Sequence, residues 1–155
     1  MAEYRILIAD DSEACRSALA GLLQNFFASS SHGSHHMVVE LVDSGSEALQ
    51  RLLELRYDLS LLDVHMPRLT GLEVIAQLQS LGRQVPSILM TGHPSRAMEL
   101  AALEAGAIAM LRKPIPAEIL RLTIQQVLIS SRPGIRPGPG DQTGDGGSGG
   151  SLPRH

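Results

Sequence analysis

Three carboxylates, one hydroxyl and one ammonium each stand at the end of a short aliphatic run. Asp10-Asp11 follow residues 5–9 (RILIA), and Asp63 follows 59–62 (LSLL). Thr91-Gly92 follow 85–90 (VPSILM), and Lys113-Pro114 come just after 107–111 (AIAML). Runs of this length and composition suit buried parallel strands. In an open α/β sheet, ligands bind beyond the carboxyl ends of the strands, so these five side chains project from one edge. Clustered carboxylates repel one another without a cation. Hard oxygen ligands suit Mg²⁺, which prefers one or two carboxylates plus a phosphate. Lys113 supplies a charge for a further phosphate oxygen and Thr91 a donor hydroxyl, so the set can stabilise a transferring phosphoryl group. Asp63 can then attack as a nucleophile and form an acyl phosphate. Taken singly, Asp10-Asp11 would read as a helix cap, Asp63 as a turn residue and Lys113 as a surface charge. Their recurrence at successive strand ends favours the joint reading.

The elements that position them alternate strictly. A second strand is expected at 37–42 (MVVELV), and helical patterns run over about 12–27, 46–56, 72–81, 95–105 and 117–130. Ser12 and Ser46 are placed to cap helix N-termini, Pro116 to open the last helix, and Gly82 and Gly106 to end helices. Five β/α units imply an α/β fold with a doubly wound parallel sheet and helices on both faces. On the last helix, Leu120, Ile124, Val127 and Leu128 form the stripe expected to face the sheet. Leu122 and Ile129 fall on the opposite side, where they suit a partner surface.

The 155 residues allow one domain with a sizeable, largely aliphatic core, since there is no Trp and only two Tyr and two Phe. We place that domain at 1–131. Residues 133–155 hold eight Gly and four Pro, a composition that buries too little apolar surface to order itself, so 132–155 reads as a tail or linker with no output domain. The net charge of −3 gives no basic field for nucleic acid. No stretch is long enough for a membrane span, and the single Cys15 suits a reducing compartment, which together point to the cytoplasm. Cys15 itself reads as a packed or half-exposed thiol rather than a reactive one. Between the first helix and second strand, the polar segment 28–36 carries His32, His35 and His36. With no Cys or carboxylate beside them, a surface loop is favoured over a metal site.

Residues 5–130 resemble the response-regulator receiver family, typified by the chemotaxis regulator whose strand order is 2-1-3-4-5. The strings that carry the resemblance are ILIADDS at 6–12, LSLLDVHMPRLTGLEVI at 59–75, SILMTGHP at 87–94 and EAGAIAMLRKPI at 104–115. It implies a flavodoxin-like three-layer sandwich that acts as a phosphoacceptor switch rather than an enzyme, supporting only its own phosphorylation and slow autodephosphorylation. By position, Asp63 corresponds to the phosphorylated aspartate. Asp11, Asp63 and the His65 backbone carbonyl would ligate Mg²⁺, with Asp10 acting through a metal-bound water. Thr91 would be the switch hydroxyl, Lys113 the phosphate-binding lysine followed by a cis peptide to Pro114, and Gly71 the opening of the helix after the phosphorylation loop. Small Gly92 would leave access to the phosphoryl group. A sensor histidine kinase or phosphotransfer protein would donate the phosphoryl group. A downstream protein, or a second copy, would dock on the face of the fourth helix, fifth strand and fifth helix.

Two departures stand out. Met110 occupies a place where the family usually has Tyr or Phe, so any coupling to Thr91 runs through a thioether rather than a ring. His65 and His93 lie two residues beyond Asp63 and Thr91, flanking the route of the attacking water, where they are candidates for tuning acyl-phosphate lifetime. Two competing readings remain. A haloacid-dehalogenase-like phosphatase uses similar groups but would need its nucleophile in an early DxD pattern, where this chain has Asp10-Asp11-Ser12. A degenerate receiver working only by protein contact would not need the acidic set.

Overall fold

The computed structural model describes residues 3–28 and 36–130. The chain runs β1 (Glu3–Ala9), α1 (Glu13–Ala28), β2 (His36–Val42), α2 (Gly45–Glu54), β3 (Leu59–Asp63), α3 (Gly71–Ser80), β4 (Ser87–Thr91), α4 (Arg96–Ala105), β5 (Ala109–Arg112) and α5 (Ala117–Ser130). All five strands are parallel, in the order β2-β1-β3-β4-β5. The expected topology is the one observed. His36 opens β2, while His32, His35 and residues 132–155 lie outside the described residues.

Both faces of the sheet are buried, which is why the strands read as unbroken apolar runs rather than alternating ones. Successive side chains point to opposite faces. Tyr4, Ile6, Ile8, Leu59, Leu61, Ile88 and Met90 therefore pack with Leu19 and Leu23 of α1 and Leu120, Ile124, Val127 and Leu128 of α5. Leu7, Ala9, Leu62 and Leu89 pack with Ala48, Leu52, Val74, Ile75, Leu78 and Ala102 on the α2–α3–α4 side. The expected stripe on α5 is thus buried, and Leu122 on its other side is 49% exposed. The Ile129 side chain lies outside what is described.

Local chemistry fixes the element ends. Ser12 caps α1, its Oγ accepting from the Cys15 amide at 3.3 Å. The cap of α2 is Ser44 rather than Ser46, because the helix starts at Gly45, two residues earlier than a Ser46 cap would place it. A side chain at 45 would bring its Cβ to 1.9 Å from the Leu69 carbonyl oxygen, so only Gly lets α2 start against the β3–α3 loop. Thr70 and Glu73 form a capping box at α3. Pro116 precedes α5, where its carbonyl accepts from the Leu120 amide at 3.1 Å. Gly106 ends α4 with φ 89°, and Gly82 follows α3 with φ 71°, both as expected. No helix among the described residues is long and apolar enough to cross a membrane.

Candidate phosphoacceptor site

Three strand ends finish in the same local motif. Asp10 Oδ1 accepts from the Ser12 amide at 2.9 Å, Asp63 Oδ1 from the His65 amide at 3.1 Å, and Thr91 Oγ1 from the His93 amide at 3.1 Å. A short polar side chain that binds the amide two residues on turns the chain as it leaves the strand. The sequence spacing therefore does more than list the groups, because it aims each side chain across the same edge. Register finishes the alignment, since Asp63 pairs with Met90 and Thr91 with Arg112.

Asp10 and Thr91 are fully buried, Asp63 is 4% exposed, and Asp11 is exposed. Carboxylate oxygens of Asp10, Asp11 and Asp63 lie within 4.8 Å of one another. Lys113 Nζ donates to Asp10 Oδ2 at 2.6 Å and to Asp63 Oδ2 at 3.0 Å. It is carried there by a turn in which its amide donates to the Thr91 carbonyl at 2.8 Å, and its bond to Pro114 is cis. Arg16 Nη1 donates to the Asp10 backbone carbonyl at 2.6 Å, tying α1 to the edge.

The electrostatics separate the two buried acids. Burial pushes Asp10 up, yet the Lys113 ammonium, the Cys15 thiol and the Ser12 amide together outweigh it and hold the carboxyl below its ordinary range. At Asp63 burial wins over Lys113 and the His65 amide, and its pKa is raised. Lys113 is driven up by the two carboxylates it bridges, against its own desolvation. Three carboxylates face one ammonium, which leaves the ionised cluster two charges negative. A divalent cation matches that deficit with the oxygen donors hard ions prefer, so these residues fit Mg²⁺.

Cys15 is the contributor that sequence reading missed, because nothing in the spacing says that a thiol on α1 reaches Asp10. It is half-buried, and burial followed by the neighbouring Asp10 carboxylate raises its pKa. The raised pKa favours the protonated thiol, and its half-buried place matches the packed or half-exposed thiol expected. Met110 lies half-buried among the α2–α3–α4 core side chains, paired in register with Leu89.

The loop after Asp63 holds a strained residue. Arg68 has φ 68°, and the Leu69 amide donates to the Pro67 carbonyl at 2.8 Å, closing a γ-turn around it. A side chain in this conformation costs on the order of 1–2 kcal/mol, which exceeds the extra entropy glycine loses on folding. Arg68→Gly is therefore expected to raise stability by roughly 0.5–1 kcal/mol in denaturant unfolding. An unchanged or lower midpoint would mean that the turn is not under strain.

With the geometry in place, comparison with known proteins identifies the class. The model of the response regulator receiver domain matches residues 6–125, and the chain belongs to that family. It is therefore a receiver domain of two-component signalling. Among curated relatives, the response regulator MprA of Mycobacterium leprae is 40% identical over 130 residues, 83% of this chain and 53% of the relative. The MprA of Mycobacterium avium is 39% identical over the same shares. The chain thus spans about half the length of the curated relatives it matches. Among solved structures, the Vibrio cholerae chemotaxis protein CheY4 is 31% identical with TM-score 0.68, covering 82% of this chain and all of that one (100%). The receiver domain of a Pseudomonas aeruginosa sensor histidine kinase, solved with magnesium coordinated in its active-site cleft, is 25% identical with TM-score 0.70, over 83% and 100%.

Proposed function

We propose that Asp63 accepts a phosphoryl group from the phosphohistidine of a sensor histidine kinase or phosphotransfer protein, with Mg²⁺ held by Asp11, Asp63 and the His65 carbonyl and by Asp10 through water. The observation that carries this reading is the bridge from Lys113 to both buried acids, 2.6 Å to Asp10 and 3.0 Å to Asp63, beside exposed Asp11. An Asp63 carboxylate oxygen attacks phosphorus as the phosphorus–nitrogen bond to the donor imidazole breaks, giving an acyl phosphate and free histidine. Lys113, already charged and already at Asp63, takes up charge on a phosphoryl oxygen, and the Thr91 hydroxyl donates to another. Mg²⁺ supplies the remaining charge compensation to the phosphoryl oxygens. The direct test is Mg²⁺-dependent binding of beryllofluoride, a phosphoryl mimic. Binding is expected at one equivalent per chain, and its absence would leave the degenerate-receiver reading, in which only protein contact matters. The phosphatase alternative has no support in the family match.

His65 and His93 flank the mouth of this site with ring centroids 6.5 Å apart. We read them as tuning acyl-phosphate lifetime by ordering or blocking water. His93→Ala is expected to change the dephosphorylation rate by about tenfold, less than the roughly 100-fold or more that a full general acid or base supplies. A rate within twofold of wild type would remove His93 from this role.

The modified surface is read on the α4–β5–α5 face. Leu100 (53% exposed) and Leu103 (70%) of α4, Ile108 (51%) just before β5, and Ile119 (48%) and Leu122 (49%) of α5 are exposed aliphatic side chains on the elements of that face. This supports docking by a downstream protein or by a second copy, and the net charge of −3 favours protein over nucleic acid as the occupant. Leu103→Asp with Leu122→Asp is expected to abolish phosphorylation-dependent self-association in analytical ultracentrifugation, or partner capture if the chain stays monomeric. Retention of both would move the interface elsewhere.

A further inference from the structure

The two histidines at the mouth of the site have no structural duty. His65 and His93 are exposed, and apart from their edge contact with each other neither imidazole has a partner among the described residues. Their backbones, by contrast, are fixed, since each amide is held by the strand-end oxygen two residues before it, at 3.1 Å in both cases. Two unengaged imidazoles are thus mounted on rigid supports from adjacent strands, β3 and β4. Imidazole nitrogens hold late first-row ions at about 2.0–2.1 Å, so two rings sharing one ion have centroids roughly 5–6.5 Å apart. The observed 6.5 Å lies at the outer end of that range, and exposed side chains close the remainder by rotating about χ1 and χ2.

We propose that His65 and His93 form a second metal site, a bis-imidazole clamp for one late first-row divalent ion such as Cu²⁺ or Zn²⁺, distinct from the carboxylate cluster below it. Donor chemistry keeps the two sites apart. Imidazole suits copper, zinc and nickel, whereas Mg²⁺ takes the oxygens of Asp10, Asp11 and Asp63. An ion in the clamp sits across the mouth that a phosphodonor must enter, so it slows phosphorylation of Asp63. That second consequence rests on the phosphoacceptor reading, while the clamp itself does not.

The test uses the full chain with His32, His35, His36 and His155 replaced by Ala, so that His65 and His93 are the two imidazoles left of six, in saturating Mg²⁺. Titrated Cu²⁺ is expected to bind at one equivalent with an electron paramagnetic resonance signal split by two imidazole nitrogens. His65→Gln or His93→Gln should each leave one nitrogen and weaken binding tenfold or more, because the second ligand no longer acts at high effective concentration (about millimolar or above). A two-nitrogen signal that survives in the double variant, or uptake equal in parent and double variant, overturns the site. Zn²⁺ should slow acetyl-phosphate-driven labelling at least fivefold in the parent and leave the double variant at its own zinc-free rate. Intact copper binding with no zinc effect on labelling overturns the blocking of the mouth. Absence of labelling without zinc counts against the phosphoacceptor reading and leaves the clamp standing on the copper data.

Discussion

Asp63→Asn is expected to abolish beryllofluoride binding and to lower phosphoryl incorporation at least 100-fold, to the background of other nucleophiles, while leaving the chain folded and slightly more stable. The functional loss follows because an amide is not a nucleophile and gives Mg²⁺ one fewer anionic ligand. The stability gain follows from the sign of the Asp63 shift. Its pKa is raised in the folded chain, chiefly by burial, so at neutral pH its ionisation opposes folding, and stability from this group grows only as pH falls far enough to protonate it. Replacing it by a neutral isostere removes that opposition and should gain about 0.5–2 kcal/mol in urea unfolding without Mg²⁺. Asp10 behaves in the opposite sense. Its pKa is depressed, so its contribution is present above the ordinary carboxylate range and is lost as pH drops through it. Asp10→Asn should therefore destabilise the Mg²⁺-free protein at pH 7, and the two variants moving in the same direction would contradict this division of roles. Mg²⁺ should reverse the ranking, because an ion at 100 times its dissociation constant adds about 2.7 kcal/mol to the wild type alone.

The second large effect is expected from Gly71→Ala. A Cβ at this position would stand 2.4 Å from the Asp63 carbonyl oxygen, 3.1 Å from the Asp63 carbonyl carbon and 3.0 Å from Leu89 Cδ2. Two of those atoms are backbone of Asp63 itself and cannot rotate away, so α3 must move off the end of β3. The hydrogen bond from the Gly71 amide to the Val64 carbonyl, 3.3 Å, would lengthen with it. Overpacking of this kind costs about 1–3 kcal/mol. A shift of the order of 1 Å at a reacting group costs up to about 100-fold in rate, so Gly71→Ala should slow phosphorylation by roughly 10–100-fold while beryllofluoride still binds, more weakly. Wild-type stability together with a wild-type rate would show that α3 yields freely. In that case the contact would not hold Asp63 in place.

These predictions draw unequally on sequence and structure. The alternation of apolar runs with helical periods was enough for the topology, because a parallel sheet buried on both faces leaves its strands apolar throughout and its helices amphipathic. Placing Asp10, Asp11, Asp63, Thr91 and Lys113 on one edge needed only the rule that ligands gather at carboxyl strand ends. Element ends were less legible. Ser46 and Ser44 are both good caps, and the choice of Ser44 is set by the close approach of α2 to the Leu69 carbonyl, a contact between segments far apart in the chain.

What tertiary structure decided is how the groups differ from one another. Asp10 and Asp63 carry the same carboxyl group at two strand ends, but one is held low and the other high. That division depends on burial and on which atoms Lys113 reaches, and neither is encoded locally. Nor could sequence place the Cys15 thiol beside Asp10 or bring the rings of His65 and His93 together. The sequence by itself determined which groups line the edge, because strand ends are read from a local pattern. Only the folded chain decided their distances and charge states, because those arise between residues up to 103 positions apart, as in the bridge from Lys113 to Asp10.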